Sequence, residues 1–303
     1  MNKKKTLLIL GGTGFIGYHL AGKALKKGWK VTSISARAPK KLRFLSKVSY
    51  LICDINNKKK LKKTISKEFT YVVNLAGYVD HSNKRKTFNS HYVGCKNLVE
   101  IFLKFTPQSF VQMGSSLEYG KSKSPQKETI NCQPLSTYGR AKFLASKYLL
   151  SMYKEYNFPV TILRLYQAYG NKQDINRFIP IVINSCLKRN DFPCSKGDQL
   201  RDFVHIDDVV QAIFKSFRNR KSRGEIINIG SGRGIKIKNI IQLIRRITNG
   251  GKPQFGKIKL RSEEALKVYP SIKKAKKYLN WKPQILFRQG IKSVIKSYDA
   301  IRN

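Results

Sequence analysis

An α/β fold built on an open parallel sheet, with helices wound on both faces, is what this sequence predicts, and three observations predict it. A short apolar run, Thr6-Leu7-Leu8-Ile9-Leu10, ends in Gly11-Gly12-Thr13-Gly14-Phe15-Ile16-Gly17 and then passes into a helix-like stretch, Tyr18 to Lys27. The same progression, from apolar run through small or polar residues to helical pattern, recurs down the first half of the chain, as parallel sheets require. The 303 residues suffice for one large domain or two closely packed ones.

The glycine turn comes first in the argument. Glycines at 11, 14 and 17 let the chain turn sharply off a strand, admit a pyrophosphate against the backbone, and let the new helix pack closely on the sheet. The positive end of that helix then faces the phosphates. This is the arrangement of a Rossmann-type dinucleotide site, and Gly11, Thr13, Gly14, Phe15, Ile16 and Gly17 are its expected residues. Next, Lys30 to Ser35 alternates as a second strand whose end meets the adenosine ribose. An enzyme selecting NAD places a carboxylate there. Here Ser35, Arg37 and Lys40-Lys41 stand instead, which favours a 2′-phosphate and NADP(H), with NAD(H) the alternative.

Tyr50 to Ile55 reads as a third strand, bringing Asp54 and Ile55 toward the adenine. A basic helix over 58–67 follows, then a fourth strand over 71–75 running into Ala76-Gly77, small enough for a cofactor to lie against the backbone. A helix over 91–104 leads to a fifth strand over 109–113 and a polar carboxyl end, Gly114 to Gly120, where open sheets bind ligands. Residues 1–170 are thus expected to form the dinucleotide domain and 171–303 a smaller α/β substrate domain. A helix over 207–217 and a strand over 226–230 are expected to return and flank the sheet.

Leu135-Ser136-Thr137-Tyr138 opens a long amphipathic helix on which Tyr138 and Lys142 share a face. Spacing alone is poor testimony, because Tyr92, Tyr119, Tyr269 and Tyr278 also have lysine four residues on. Context singles out Tyr138: its helix follows Ser115, at a strand end, by 23 residues in a chain that opens with a dinucleotide turn.

Composition bounds the rest. The chain carries 61 basic and 17 acidic residues, a formal charge of +44, and 44 of the bases are lysine. They are scattered, with no recognisable nucleic-acid module, so no specific nucleic acid is expected and the charge reads as a lysine-rich surface that also attracts anionic small molecules. Five cysteines form no CxxC pair and suggest neither a disulfide framework nor a metal site. The opening apolar run is too short for a secretion signal and no later run suits a membrane span, so a cytoplasmic protein without a membrane partner is expected.

Taken together, these residues resemble the extended short-chain dehydrogenase/reductases, the NAD-dependent epimerase/dehydratase family, in the branch acting on nucleotide sugars. The resemblance spans nearly the whole chain: the glycine turn, Asp54-Ile55, Leu75-Ala76-Gly77, Ser115 four before Tyr119, Tyr138 with Lys142, Leu163-Arg164-Leu165 through Tyr169-Gly170, Arg201 to Val209, Asn228-Ile229-Gly230 and Trp281-Lys282-Pro283. It runs nearest to the CDP-abequose synthase-like 4-ketoreductases, through Asn176 to Pro180 and Gly197 to Phe203. The resemblance implies that Ser115 bonds the substrate oxygen, that Tyr138 is the acid/base, and that Lys142 holds the nicotinamide ribose and lowers the tyrosine pKa. It implies a nucleotide-diphosphate sugar as substrate, clamped by Arg201 and Arg261 and lined by Phe178, Ile179 and Pro180, and a homodimer.

Departures from the pattern narrow the chemistry. Where the 4,6-dehydratases of the family carry an acidic pair after the strand-end residue, this chain has Ser116 and Leu117, and Glu118 lies one residue further on, expected to pack locally or touch substrate. The family's usual asparagine is replaced at Gln167 and at His91. The expected activity is therefore NADPH-dependent reduction of a 4-keto nucleotide sugar. An NAD-dependent 4-epimerase with the same three residues is the alternative, and a non-enzymatic RNA-associated member of the superfamily a remote one.

Overall fold

The computed structural model describes residues 4–78, 80, 82–260 and 264–302. Seven strands pair in parallel throughout. They are β1 (Thr6–Leu10), β2 (Lys30–Ser35), β3 (Val48–Ile52), β4 (Tyr71–Asn74), β5 (Ser109–Ser115), β6 (Val160–Leu165) and a late strand, Glu225–Ile229. Across the sheet the order is Glu225–Ile229, β6, β5, β4, β1, β2, β3. The winding therefore reverses between β1 and β4, the switch point at which such sheets bind ligands. The helices that matter here are α1 (Phe15–Lys26), α2 (Lys58–Thr64), α3 (Lys84–Phe88), α4 (Gly94–Phe102), α5 (Thr137–Tyr156), α6 (Phe178–Leu187) and α7 (Ile206–Arg218).

The alternation of side chains along β1 explains its unbroken apolar run. Leu7 and Ile9 point to one face, where Leu20 and Ala24 of α1 and Val209 and Ile213 of α7 cover them. Leu8 and Leu10 point to the other, against Leu98, Val99 and Phe102 of α4 and Ala145 and Leu149 of α5. A central strand buried on both faces has no polar side to show. A separate apolar cluster joins Ile179, Val182 and Ile183 of α6 to Ile240, Ile241 and Ile244 of the helix Ile237–Thr248 and to Ile291 and Val294 of the helix Phe287–Arg302.

Several element ends differ from the sequence reading, each for a local reason. Gly14 is the N-cap of α1, so Phe15, Ile16 and Gly17 are already helical. β3 begins and ends earlier than expected, leaving Asp54 and Ile55 in a turn closed by the Asp54 carboxylate, whose Oδ1 accepts from Asn56 N at 2.9 Å. The helix expected from His91 starts at Lys84 and passes through a π-turn over Asn89–Val93. β5 runs two residues further, so that Ser115 itself pairs with Leu165. No helix among the described residues is long and apolar enough to cross a membrane.

Candidate active site

The carboxyl ends of β1 to β5 build the site. At β1, Gly11 has φ +80°, and a Cβ there would lie 2.9 Å from Ala76 N beyond β4, so the two strand ends approach as closely as backbone permits. A Cβ on Gly17 would come within 2.6 Å of Gly12 Cα, which is why α1 can seat directly on its own turn. Gly14 offers no capping side chain and the first turn of α1 has no acidic residue, leaving its N–H groups to whatever anion lies over the turn. The turn is tied to β2 by Thr13 N donating to Ser35 Oγ at 3.4 Å. Ser35 is buried and Arg37 exposed, with no carboxylate at that strand end. Lys40 and Arg43 are turned aside, both paired with Asp174. Asp54 is exposed beyond β3, with Ile55 buried beside it. A cradle with bare helix N–H groups and no filling side chain fits a dinucleotide pyrophosphate.

At β5, the strand hands over to a 3-10 turn, Ser116–Tyr119, and Ser115 is its N-cap, with Oγ accepting from Leu117 N at 3.2 Å. The Ser115 side chain also shares a hydrogen bond with Tyr138, on the first turn of α5. One turn on, Lys142 is buried, its Nζ 5.9 Å from the centre of the Tyr138 ring and donating to Met113 O at 2.7 Å. The structure thus brings Ser115, Tyr138 and Lys142 together from a strand end and one helix face.

The electrostatics differ from the expectation that Lys142 lowers the tyrosine pKa. Burial pushes the Tyr138 phenol up to about 12, while the Ser115 hydrogen bond and the Arg177 charge pull the other way. Burial also pushes the Lys142 ammonium down to about 8, against the pull of Glu118 and Cys95. The lysine donates to a backbone carbonyl, and with burial dominating at Tyr138 the phenol is protonated at neutral pH.

Four further residues surround this group, by contact or by charge. Glu118 sits fully buried behind Ser115. Its signal was present in the sequence, because Ser115-Ser116-Leu117-Glu118 has the S-x-x-E spacing of a capping box, and both of its bonds form. Arg164 pairs with Glu118. The His91 ring, in the π-turn, stands edge-on to Tyr138 with centroids 4.8 Å apart. Arg177 precedes α6, and no spacing in the sequence marks it.

The expected substrate residues fare unevenly. Arg201 is held by Glu264 and donates to Leu200 O at 2.8 Å and to Leu266 O at 3.4 Å, so its fork is already filled by protein groups. Phe178 is partly buried against Phe203, ring centres 5.8 Å apart, and Ile179 after it belongs to the core rather than to a pocket wall. Arg261 lies outside the described residues.

Comparison with known proteins places this geometry. The model of the NAD dependent epimerase/dehydratase family matches residues 7–230. The chain is 27% identical over 320 residues to the bifunctional UDP-glucose 4-epimerase and UDP-xylose 4-epimerase 3 of Arabidopsis thaliana, covering 92% of this chain and 91% of that one. It is 23% identical over 309 residues to CDP-abequose synthase of Salmonella muenchen, covering 97% and 98%. Among solved structures, the UDP-glucose 4-epimerase of Thermotoga maritima with UDP-glucose superposes with a TM-score of 0.93 at 25% identity, over 98% of this chain and 100% of that one. With that match spanning the glycine turn, the Ser115 strand end, Tyr138 and Lys142, the chain belongs to the NAD dependent epimerase/dehydratase family.

Proposed function

We propose that the protein reduces the 4-keto group of a nucleotide-diphosphate sugar with NADPH. The observation that carries this reading is the β2 end: Ser35 buried beneath an exposed Arg37, with no carboxylate to accept from an unphosphorylated ribose. When bound, the cofactor supplies a hydride at its nicotinamide ring. The chain's own residues do the rest. Ser115 Oγ and Tyr138 Oη, already hydrogen-bonded to each other, converge on the substrate oxygen. A phenol at about 12 is in the protonated form that reduction needs, ready to deliver its proton to the developing alkoxide. Buried Lys142 orients the ribose side of the pocket, and Arg201 would meet the diphosphate by sharing or displacing Glu264.

A second reading, an NAD-dependent 4-epimerase acting on a UDP-hexose, is favoured by the plant and Thermotoga relatives named above. One experiment decides between them. The purified protein is given NADPH and a panel of 4-keto-6-deoxy sugar nucleotides while nicotinamide absorbance is followed, and separately UDP-glucose with NAD while UDP-galactose is sought. Consumption of NADPH with a keto sugar supports the reductase. Interconversion of the UDP-hexoses without net NADH supports the epimerase, and silence in both arms overturns the C4 assignment.

A further inference from the structure

We propose that Glu118 is a positioning residue that sets Ser115 and Tyr138 in register, by clipping the end of β5, the helix α5 and the strand β6 to one carboxylate. Its Oε1 accepts from Ser115 N at 2.8 Å. Its Oε2 accepts from Ser146 Oγ at 2.9 Å, one turn beyond Lys142 on α5, and from Arg164 Nε at 2.8 Å. Glu118 is 0% exposed and Arg164 2%. The three elements so joined are those that supply Ser115, supply Tyr138, and flank Ser115 in the sheet.

A stability argument does not account for this pair. Taking both charges out of water costs about as much as their attraction returns, and apolar residues of the same size hold a core together as well. What an apolar pair could not do is bond three donors on three separate elements in fixed directions. The pair also reaches outward. Arg164 lies over the Tyr119 ring at 4.6 Å, Tyr119 Oη donates to Asn228 Oδ1 at 2.8 Å, and Asn228 Nδ2 donates to Gln126 O at 3.0 Å. Gln126 pairs through its backbone with Tyr269 and Ser271, beside the strand Lys267–Val268 that lies against Arg201. Glu118 is therefore the inner end of a buried polar chain running from the substrate-side strand to the catalytic serine.

The inference rests on the reading of Ser115 and Tyr138 as catalytic, and its test keeps the two apart. Glu118→Gln leaves one oxygen for Ser115 N but turns an amide donor toward Arg164, so the clip opens. Steady-state rates with whichever substrate is turned over are measured for Glu118→Gln, Ser146→Ala and Tyr138→Phe, with hydrogen exchange of the peptide covering 113–120. Glu118→Gln is expected to lower kcat by about tenfold or more with KM within about threefold, since small displacements of reacting groups act on the chemical step. Exchange at 113–120 should quicken, and Ser146→Ala should move both readouts the same way by less. Pairing Glu118→Gln with Arg164→Met, which removes the stranded cation, should restore part of kcat. Parental kcat and parental exchange in folded Glu118→Gln overturn the proposal. If Glu118→Gln does not fold, the same result in Ser146→Ala overturns it. An unaffected Tyr138→Phe would instead locate the failure in the assignment of the site.

Discussion

Replacing Tyr138 by Phe removes a single oxygen from the centre of the site, and the structure limits what else can change. The ring keeps its edge-on contact with His91 and its place above Lys142, so packing is preserved. The lost hydrogen bond to Ser115 is worth about 1 kcal/mol, which for a chain of this size moves Tm by a few degrees at most. The proton is another matter. With its pKa near 12, the phenol is deprotonated at pH 7 in only about one molecule in 10⁵, so on the proposed reaction it would be a nearly complete reservoir of acid. Removing a positioned general acid costs about 10²–10⁴-fold in rate. The expected result is kcat down by at least about a hundredfold with cofactor affinity within about twofold, from initial rates of NADPH oxidation and from fluorescence titration of NADPH. A variant that folds, binds NADPH and keeps turnover within about threefold of the parent would refute the assignment, and the proton donor would have to be another group.

Other outcomes follow from the same geometry. The parent should bind NADP(H) at least about tenfold more tightly than NAD(H), about 1.4 kcal/mol, and Arg37→Ala should erase most of the difference in calorimetric titration; equal affinities in the parent would refute the role of Ser35 and Arg37. Gly17→Ala places a Cβ 2.6 Å from Gly12 Cα, so it should destabilise by about 1–3 kcal/mol and weaken either cofactor, as measured by thermal unfolding with and without it. Binding to RNA or DNA should be weak and should collapse as salt rises from about 50 to 200 mM, because scattered lysines only release counterions; tight binding to one sequence at high salt would revive the RNA-associated reading.

The parts of this molecule that could be read from sequence are those in which a residue type has one dominant physical use. Glycine at 11 and 17 is demanded by close approach, and the run from Leu7 to Leu10 by burial on two faces. Tyr138 and Lys142 were legible once the strand end before them was. Glu118 and Arg164 were harder, because a charge inside a fold is recognised by its partner, and these two are 46 residues apart in sequence, on a turn and a strand. The capping box spacing announced a turn at Ser115 and nothing about the arginine behind it. Arg201 shows the converse: a guanidinium expected to clamp a diphosphate is already matched to Glu264, a pairing no local pattern encodes. Lys40 likewise pairs with Asp174, far off in sequence.

If Lys142 holds the cofactor ribose as proposed, its burial sets stability against function, and the conflict can be measured through pH. Burial lowers its pKa from 10.5 to about 8, so between those values the unfolded chain holds the proton more tightly than the folded one. Stability from this group is therefore greatest above 10.5, is lost as pH falls toward 8, and at pH 7 both states carry the charge and the folded state bears the whole desolvation penalty. At 1.36 kcal/mol per pKa unit that penalty is about 3 kcal/mol, reduced by about 1 kcal/mol because Lys142→Met also gives up the bond to Met113 O. Lys142→Met should therefore be more stable than the parent at pH 7, by about 2 kcal/mol; the advantage should vanish near about pH 10, and above about 10.5 the variant should be the less stable, by about the 1 kcal/mol of the lost bond. Denaturant unfolding of both proteins across that range isolates the lysine, since every other titrating group is common to the pair. Cofactor binding should run the opposite way, declining in the parent as pH rises through about 8 and staying low and flat in the variant. A variant less stable than the parent at pH 7, or a difference that does not change with pH, would mean that the ammonium is better solvated than its burial implies, and the cation would then be a structural strut rather than a charge held in readiness for the ribose.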